Sequence, residues 1–599
     1  MTSTPGSLTL GQAKAALDRG EPEAAAEIAV TVARSCMNAA EAAQALHFAG
    51  LVQAQSGKQH VGSARIRKAL LLSPERASAW ANLAQCSGKG DEILCLAKRG
   101  IMGNPGAPLG WALLGVAHHK CAQEKRAARH FPAALDHSRR SLLLRPDYAE
   151  ALHGFVIEKR WNGLLDDPDG LIERSLQILA RVTKVSGHPI MMFGPFAGLR
   201  DQLEAAIGSG GVRGPRRDFA KLPGVSEKPL HIGYVGSYLK EHALALALPE
   251  LFRLHDRTKF RITLYIAPNA NGEADCSEAI RDSGIEIVAL SGLDSAQQAG
   301  RLRQDRVDIL SDLDGFLSQD PLGLLQHDPA PIIVNYFGFP GTCGTLHDYI
   351  VGDPRLIPEM ATSGYGERIV RLPHCYMPFD GGRPVSAVPT RSGAGLPEDA
   401  FVFLGFHSQN KVAADAFAAW MRCLREVPDS ILWMLDHGDS HRTNLLASAL
   451  RHGVSQERFV FAPKLKNEDH LARLSLADLY LDNSWFNAHT TGADALWRGL
   501  PVVTIAGETF ASRVGASLLY AAGLPDLVAH SPDEQAKIAI ALAQAPRRLA
   551  ALRNHLKRAV KTAPLFKMAA YAHALERAYQ AMAERARQNL PPAEITIKP

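Results

Sequence analysis

The first third of the chain carries the spacing of amphipathic helices throughout. From about residue 10 to 205, apolar positions recur at helical intervals, and the pattern is helical along the whole stretch. One unit recurs within it, because a proline is followed six positions later by an anchor residue. The three pairs are Pro74 with Trp80, Pro105 with Trp111, and Pro146 with Leu152.

The interval between these anchors is close to that of tetratricopeptide repeats. Leu46 stands 34 residues before Trp80, Trp111 follows Trp80 by 31 residues, and Leu152 follows Trp111 by 41. Helix pairs that repeat at about 34 residues stack into a solenoid with a concave binding surface. We therefore predict a tetratricopeptide-like helical domain at residues 1–220 that binds polypeptide. An unspecialised helical domain is the alternative.

After the glycine-rich segment 208–215 the pattern changes to short β-branched runs that alternate with helix-length amphipathic segments. Such alternation is typical of βαβ units in a parallel sheet. The first set of predicted strands covers His231–Val235, Arg261–Ile266, Ile285–Val288, Val307–Leu310, Ile332–Asn335 and Tyr349–Val351. The second set covers Phe401–Leu404, Ile431–Leu435, Phe459–Phe461, Leu479–Leu481 and Val502–Ile505.

Between the two sets lies a Pro/Gly-rich stretch, 380–397, which is suited to a hinge. We expect two Rossmann-like α/β lobes at 221–385 and 386–555, with a C-terminal helix and tail at 556–599. Two lobes joined by a hinge predict a cleft, and ligands of parallel sheets bind beyond the carboxyl ends of the strands.

Composition narrows the classes of function. The net charge of +5 is spread over 599 residues, which indicates no dedicated nucleic-acid or membrane surface. The N-terminal residues lack the features of a secretion signal, and no apolar run is long enough for a membrane span. The eight cysteines include no C-x-x-C pair, so neither zinc nor disulfides are indicated. We expect a cytoplasmic protein with reduced thiols.

The strongest candidate for chemistry follows the predicted strand Leu479–Leu481. His489, Thr490 and Thr491 lead into a short helix that Gly499 ends, and unpaired amides at such a helix start bind phosphate without a metal. Asp494 on the same helix is expected to accept hydrogen bonds from ribose hydroxyls. The alternative is that Thr491 and Asp494 only form a capping box for their own helix.

Further candidates follow other strand ends. Lys411 comes after Phe401–Leu404 and could neutralise a departing diphosphate, although it could equally be a solvated surface charge. His470 could stack on a base. On the first lobe, His242 faces the expected cleft, unless it only satisfies a helix terminus. The two glycines of the turn Phe337–Thr342 allow the backbone to approach a ligand closely.

Two acidic clusters match metal-binding patterns. Asp312 and Asp314 form a D-x-D pair of the kind that holds a cation on a sugar diphosphate, and a second cluster follows another strand at 436–441. The first lies in the lobe opposite the phosphate candidates, and the second fits a solvated loop. We therefore predict no metal site and no cofactor.

Taken together, these segments resemble the O-linked N-acetylglucosamine transferases of glycosyltransferase family 41. The similarity runs in order through residues 230–580, with repeats ahead of it. It is carried by Gly338–Thr342, Leu396–Asp399, Val427–Trp433, His489–Asp494, Gly507–Val514 and Ala563–Phe566. The resemblance implies a GT-B fold and an inverting, metal-independent transfer from a UDP-sugar.

The resemblance also implies roles for single residues. His242 matches an essential histidine near the anomeric centre, and Lys411 matches the diphosphate-binding lysine. In the nucleotide and phosphate site it places Ser408, Leu465, His470, Arg473, His489, Thr490, Thr491 and Asp494. Near the sugar and acceptor it places Gly338, Phe339, Pro340, Gly341, Thr342 and Phe486.

Three positions depart from the family pattern. Ser408 replaces a common glutamine, Asn467 stands where a nucleotide-site lysine is usual, and Phe486 replaces a smaller residue near the sugar's acetyl group. We expect transfer of a sugar, N-acetylglucosamine by preference, from a UDP-sugar to Ser or Thr of a protein held by the repeats. The alternatives are O-fucosyl or N-glucosyl transfer, and a catalytically dead scaffold that binds UDP.

Overall fold

The computed structural model describes residues 8–85, 89–103, 108–128, 130–145, 149–165, 198–208, 229–240, 242–269, 272–317 and 320–599. The chain divides into two compact units that meet in sequence at Asn162 and Gly163. The sequence placed this boundary near residue 220. It falls earlier because helix Leu199–Gly208 packs against Glu359–Gly364 of the second unit.

The first unit is built from α-helices, each of which packs against the next along the chain. The helices are α1 Leu10–Asp18, α2 Pro22–Ser35, α3 Ala39–Gln55, α4 Gln59–Leu72, α5 Ala77–Gln85, α6 Gly90–Gly103, α7 Pro108–Ala127, α8 Phe131–Leu144 and α9 Ala149–Trp161. These confirm the predicted helical domain.

Two contacts show why this sequence packs as helix pairs. A Cβ on Gly50 of α3 would lie 2.8 Å from the carbonyl oxygen of Gly62 on α4, so glycine lets these two helices approach closely. The indole of Trp80 donates to the carbonyl of Pro74 at 2.8 Å, which ties the repeated proline to its anchor. Pro105, Pro146 and the side chain of Leu152 lie outside the described residues.

The second unit contains two parallel sheets. Its strands are β1 Leu230–Gly236, β2 Phe260–Ile266, β3 Glu286–Ala289, β4 Ile309–Asp312, β5 Ile332–Asn335, β6 Tyr349–Gly352, β7 Arg368–Arg371, β8 Phe401–Gly405, β9 Ser430–Leu435, β10 Phe459–Ala462, β11 Leu479–Leu481, β12 Val502–Ile505, β13 Val528–Ala529 and β14 Ile595–Thr596.

Helices cover both sheets. They are α10 Leu199–Gly208, α11 Ala243–Ala247, α12 Pro249–Leu254, α13 Glu278–Arg281, α14 Ser295–Gln304, α15 Asp320–Leu325, α16 Ala414–Glu426, α17 Asp439–Arg451, α18 Asn467–Arg473, α19 Thr490–Trp497, α20 Val514–Ala521, α21 Pro532–Ala543, α22 Pro546–Thr562 and α23 Met568–Arg587. Short 3-10 helices cover Gly315–Leu317, Glu359–Gly364, Ser392–Ala394, Gln409–Lys411, Gln456–Arg458, Leu474–Leu476, Pro525–Leu527 and Pro564–Phe566.

The first lobe is an eight-stranded sheet in the order β14-β7-β6-β5-β4-β1-β2-β3, and the second is a six-stranded sheet in the order β10-β9-β8-β11-β12-β13. In both, neighbouring strands run parallel, as β1 does with β4 and β8 with β11. The central strands of both sheets are buried and mostly apolar, as parallel sheets covered on both faces require, whereas the edge strand β3 is partly exposed. The carboxyl ends of the strands within each sheet therefore lie along one edge.

The predicted two-lobe α/β fold is confirmed, and each of the eleven predicted strands is present. Three short strands were missed: β7, β13 and β14. Because β14 pairs with β7, the C-terminal segment joins the first lobe instead of forming a separate tail. In the described part of the chain, no helix combines the length and apolar character needed to cross a membrane.

Candidate functional site

A pocket opens where the two lobes of the second unit face each other. The first lobe and its connection to the second contribute Leu246, Ala247 and Met377–Asp380, and the remaining lining residues are Arg383, Thr490 and Asp494. Two of the predicted nucleotide-binding residues thus line one pocket.

Lys411 lies at the carboxyl end of β8, in the 3-10 helix Gln409–Lys411. The side-chain amide of Asn483 donates to the Lys411 carbonyl, which fixes the backbone here. The Lys411 ammonium sits 3.7 Å from the centroid of the Phe486 ring. Burial lowers the pKa of Lys411 to about 8, while Asp482 opposes the shift. At neutral pH the site thus contains a cation that is poorly solvated and suited to an anionic ligand.

His242 caps the N-terminus of α11 on the first lobe. Its Nδ1 accepts the Leu244 amide at 3.5 Å. Desolvation, and then the Lys411 ammonium, lower the pKa of His242 below its ordinary value. The effect of Lys411 on His242 shows that these two residues, one from each lobe, lie in the same part of the cleft. The ring is neutral at neutral pH, and its proton is on Nε2 because Nδ1 is an acceptor.

The predicted phosphate loop begins α19. His489 is the N-cap and makes no side-chain capping bond, while Asp494 bonds elsewhere, so the capping-box alternative is wrong. The amides of Thr490 and Thr491 are in the first turn, where a helix has no internal partner for them. They can therefore donate to an anion.

His489 contributes no positive charge to this loop. Burial, and then Lys411, lower the pKa of His489 to about 3. Its Nε2 lies 3.1 Å from the Ala511 carbonyl, and its ring stacks on Phe486 with a centroid distance of 4.5 Å. Phe486 therefore contacts both the ammonium of Lys411 and the imidazole of His489. The positive charge offered to a phosphate comes from Lys411 and the helix dipole.

Asp494 has a protein partner that the sequence did not suggest. Arg383, from the connection between the lobes, contacts both of its carboxylate oxygens. The guanidinium also lies over the rings of Phe379 and Trp497, at 5.2 and 5.4 Å. A carboxylate has about four acceptor positions, so the pair leaves room for a ribose hydroxyl.

The predicted uridine residues lie beside this pair. Arg473 packs over Phe406 at 4.6 Å and donates to the Pro463 carbonyl at 2.7 Å and to Nδ1 of His470 at 2.9 Å. Burial, and then Arg473 and Arg383, lower the pKa of His470 to about 4. A neutral imidazole and an aromatic-stacked guanidinium form a surface suited to a flat base.

Two other predicted nucleotide residues lie on the protein surface. Leu465 is 41% exposed. Ser408 is exposed and precedes the 3-10 helix without capping it. Neither is held by the contacts that order Lys411 and Arg473.

The loop Phe337–Thr342 of the first lobe packs against the second lobe. Phe339 forms an apolar cluster with Phe486 and Ala511. Phe337 has a φ of 74°, a strained value for a bulky residue that is typical of functional loops. Gly338, Pro340 and Gly341 belong to the same turn, and a Cβ added to Gly341 would lie 3.3 Å from the Phe339 ring.

Thr342 points away from the cleft. Its hydroxyl donates to Glu367 at 2.6 Å and accepts the amide of Gly344. The resemblance places Thr342 near the sugar and acceptor as part of this loop, and its side chain is buried inside the first lobe. Thr342 shapes the loop from within.

The D-x-D pair is also turned inward. Asp312 and Asp314 are fully buried, and Asp312 accepts the amides of Asp314 and Gly315. They cannot reach a sugar diphosphate in the cleft. In the second acidic cluster, Asp436 pairs with Arg442.

Arg383 and Asp482 were not predicted as site residues from the sequence. Asp482 follows β11 directly and accepts bonds from Thr504 and from the amides of Asn483 and Ala488, so it orders the loop that leads to α19. Burial raises its pKa to about 6. Its position directly after a strand, like that of Lys411, could have identified Asp482 as a site residue.

Comparison with known proteins supplies the family. The model described as glycosyl transferase family 41 matches residues 214–383 and 382–575. A probable UDP-N-acetylglucosamine–peptide N-acetylglucosaminyltransferase SEC of Arabidopsis thaliana is 34% identical over 360 residues, 59% of this chain and 37% of the relative. A UDP-N-acetylglucosamine–peptide N-acetylglucosaminyltransferase of Caenorhabditis elegans is 25% identical over 61% of this chain and 42% of its own length.

The chain thus spans about two fifths of the length of these curated relatives. A mutant of the Thermobaculum terrenum O-GlcNAc transferase is similar over 97% of both chains, with a TM-score of 0.59 and 25% identity.

Proposed function

Because the chain belongs to glycosyl transferase family 41, we propose that it transfers a sugar from a UDP-sugar to serine or threonine hydroxyls of protein acceptors. N-acetylglucosamine is the sugar we favour, since the relatives named above are N-acetylglucosaminyltransferases. The observation that supports it best is the convergence of Lys411, His242 and the first turn of α19.

The donor's diphosphate binds between Lys411 and the amides of Thr490 and Thr491. The uridine lies on His470 and Arg473, and the ribose is held by Asp494. We infer this order because Arg383 contacts Asp494 and also lowers the pKa of His470. The residues proposed for the ribose and for the uridine are therefore neighbours. The anomeric carbon is then directed towards His242 and the first lobe.

The transfer is a single displacement with inversion. The acceptor oxygen bonds to the anomeric carbon while the bond from that carbon to the β-phosphate oxygen breaks. UDP leaves with the bonding electrons, and the hydroxyl proton passes to the departing diphosphate. Lys411 and the helix amides stabilise the charge that develops on this leaving group.

We assign His242 a role as hydrogen-bond donor. Its Nδ1 is engaged by the Leu244 amide, so Nε2 carries the proton of the neutral ring. An Nε2–H group orients an oxygen of the donor or acceptor and cannot remove a proton from it. His242 thus positions the reacting groups.

Countercharge from the protein makes a bridging cation unnecessary for donor binding. We expect the dissociation constant for UDP, measured by calorimetry, to be the same with and without Mg²⁺ or Mn²⁺. A requirement for either ion in UDP binding would overturn this part of the proposal.

The acceptor protein is held by the helical unit. The repeated helix pairs supply a surface suited to polypeptide, and the relatives' names describe peptide acceptors. We propose that residues of α1 to α9 bind the acceptor chain.

The size of the Phe486 side chain favours an alternative donor sugar. The ring occupies space against Lys411 and His489, beside the expected position of the sugar. A donor with no acetamido group, such as UDP-glucose or GDP-fucose, demands less of that space.

A turnover assay tests the proposal. The full chain is incubated with Ser/Thr-rich peptides and, separately, UDP-GlcNAc, UDP-glucose and GDP-fucose, and both nucleotide release and peptide mass are measured. We expect UDP release coupled to a gain of one sugar on a peptide, fastest with UDP-GlcNAc. Tight UDP binding with no turnover of any donor would identify a scaffold and refute the proposal.

A further inference from the structure

A cluster of metal-ligating side chains is buried behind the loop Phe337–Thr342. Cys343 and His347 lie in the connection between β5 and β6, and Glu367 stands directly before β7. Each offers one ligand atom, and these atoms all lie within 4.8 Å of one another. The three residues are 0%, 1% and 3% exposed, so the cluster belongs to the interior of the first lobe.

His347 is oriented as a metal ligand would be. Its Nε2 lies 2.8 Å from a carboxylate oxygen of Asp312, and among the described residues its buried Nδ1 has no hydrogen-bond partner. A carboxylate behind one ring nitrogen fixes the tautomer and frees the other nitrogen to bind a metal. A buried nitrogen left without a partner is otherwise unfavourable.

The buried negative charges around the cluster also favour a bound cation. Asp312, Asp314 and Glu367 are all at most 3% exposed. Within the part of the chain that the structure describes, no lysine or arginine pairs with them, and the single ion-pair partner is His347. Among the described residues, one carboxylate oxygen of Asp314 makes no hydrogen bond within the usual distance limits. Buried carboxylates are normally paired or bound to a metal.

We propose that Cys343, His347 and Glu367 bind a structural zinc ion. A thiolate and an imidazole with one carboxylate form a donor set suited to zinc, because soft sulfur disfavours magnesium and calcium. With a cysteine thiolate and the Glu367 carboxylate, the bound ion is neutral overall, which suits a buried site. Zinc bonds of about 2.0 to 2.3 Å require ligand atoms about 3.5 Å apart, so a small contraction of the cluster suffices.

The ion would brace the loop that faces the cleft. Cys343 packs with Phe339 against Phe486 of the second lobe, and Glu367 also accepts the Thr342 hydroxyl and the Cys343 amide. A metal on Cys343 and Glu367 would tie this loop to β7. It would not touch the donor, so the proposal stands or falls independently of the proposed transfer.

Metal content and coordination test the site directly. The untagged full chain is purified from zinc-supplemented cells, passed over a chelating resin and analysed by mass spectrometry for metals. We expect about one zinc per chain, with X-ray absorption showing one sulfur at about 2.3 Å and the remaining neighbours nitrogen or oxygen. Metal-free protein that remains folded, or a zinc shell without sulfur, would overturn the proposal.

Substitutions of single residues identify which side chains bind the metal. Cys343→Ser and Glu367→Gln should lose the metal, whereas Cys375→Ser, at another buried free cysteine, should keep it. Cobalt replacement should give a thiolate-to-metal absorption band in the wild type and in Cys375→Ser. Retention of full metal content by Cys343→Ser contradicts the assignment. Should both ligand variants fail to fold, the absorption spectrum of the wild type still decides whether a cysteine binds the ion.

Discussion

At the scale of single residues, Lys411 provides the side-chain positive charge at the proposed diphosphate site. The histidines coupled to it, His242 and His489, have lowered pKa values and are neutral at pH 7. We expect Lys411→Ala to lower the rate of transfer by about 10²- to 10³-fold, the usual effect of removing one electrostatic contact to the transition state. Initial rates of peptide glycosylation measure this. An unchanged circular dichroism spectrum is the control, and turnover near the wild-type rate would refute the role.

The same lysine gives the site a pH dependence. Its pKa of about 8 in the free protein means that the cation is present below pH 8 and is lost as the pH rises. UDP affinity should therefore fall by no more than about twofold from pH 7 to 8 and then weaken by up to about tenfold per pH unit. Calorimetric titration of UDP across pH 7 to 9.5 checks this.

Lys411→Arg is the matched control for that titration, because a guanidinium stays protonated across the whole range. Its UDP affinity should show no decline above pH 8, whatever its absolute value. A decline of equal steepness in both proteins would assign the titration to another group.

Substitutions of His242 distinguish a hydrogen-bond donor from a general base. If Nε2–H only orients an oxygen, His242→Gln can replace it, since the amide nitrogen of glutamine also donates. We expect His242→Gln to retain activity within about tenfold of the wild type and His242→Ala to lose more than that. Loss of a general base would cost about 10²- to 10⁴-fold in both variants. Steady-state rates and the acid side of the pH profile distinguish these outcomes.

Much of this site could be predicted from single residues, and the reason is topological. Lys411, Asp494 and His470 follow strands of one parallel sheet, so their strand ends meet at one edge. Arg383 could not be predicted, because a residue in a Pro/Gly-rich connection has no periodicity that shows what it contacts. The cluster of Cys343, His347 and Glu367 was missed because Glu367 is distant in sequence and joins the other two only through the pairing of β6 with β7.

At the scale of elements, the loop between β5 and β6 depends on one glycine. A Cβ added to Gly338 would lie 1.6 Å from the carbonyl oxygen of Leu313, a backbone atom that cannot move aside alone. We expect Gly338→Ala to destabilise the protein by about 3 kcal/mol or more, since overpacking here displaces the backbone. Chemical denaturation measures the change.

Gly300→Ala supplies the comparison for this loop. Gly300 lies within α14, and an added Cβ would meet nothing closer than an arginine side-chain nitrogen at 3.9 Å. This substitution should stabilise the protein by about 0.4 to 1 kcal/mol, because alanine has less freedom in the unfolded chain. Equal effects of the two substitutions would show that the close contact at Gly338 is relieved without cost.

Elements were predicted well where hydrophobic runs were long. The missed strands β13 and β14 are two residues each, which is too short for any alternation to show. Strand β7 reads Arg368-Ile-Val-Arg371, and only its two central residues are apolar. These strands are set by pairing with neighbours in the sheet, a tertiary effect that local pattern does not contain.

At the scale of the whole molecule, the C-terminal helix α23 completes the packing of the first lobe. Tyr579 of α23 bonds to the hydroxyls of Ser311 and Tyr234, at 2.8 and 3.1 Å. Glu576 pairs with the buried His255 at 3.0 Å. The first lobe therefore cannot satisfy its own buried polar groups until the second lobe has been synthesised.

A truncation tests this dependence. A chain that ends at Thr562 lacks α23 and β14, which leaves Tyr234, Ser311 and His255 without these partners and removes the apolar face that covers α12. Because unsatisfied buried groups cost about 1 to 3 kcal/mol each and the helix face more, we expect the first lobe to unfold. Hydrogen exchange should then show lost protection in β1 and β4 and retained protection in β8 and β11.

Two milder changes complete the comparison. A chain that ends at Asn589 loses β14 but keeps α23, and it should fold with a modest loss of stability. In the full chain, Tyr579→Phe removes only the hydroxyl and should cost about 1 to 3 kcal/mol. If the chain ending at Thr562 protected β1 and β4 as well as the full chain does, the C-terminal helix would be an accessory to the first lobe. Selective loss of hydrogen-exchange protection in the first lobe would make the C-terminal helix a part of that lobe's core. More than 200 residues of sequence separate the helix from the first-lobe residues that it contacts.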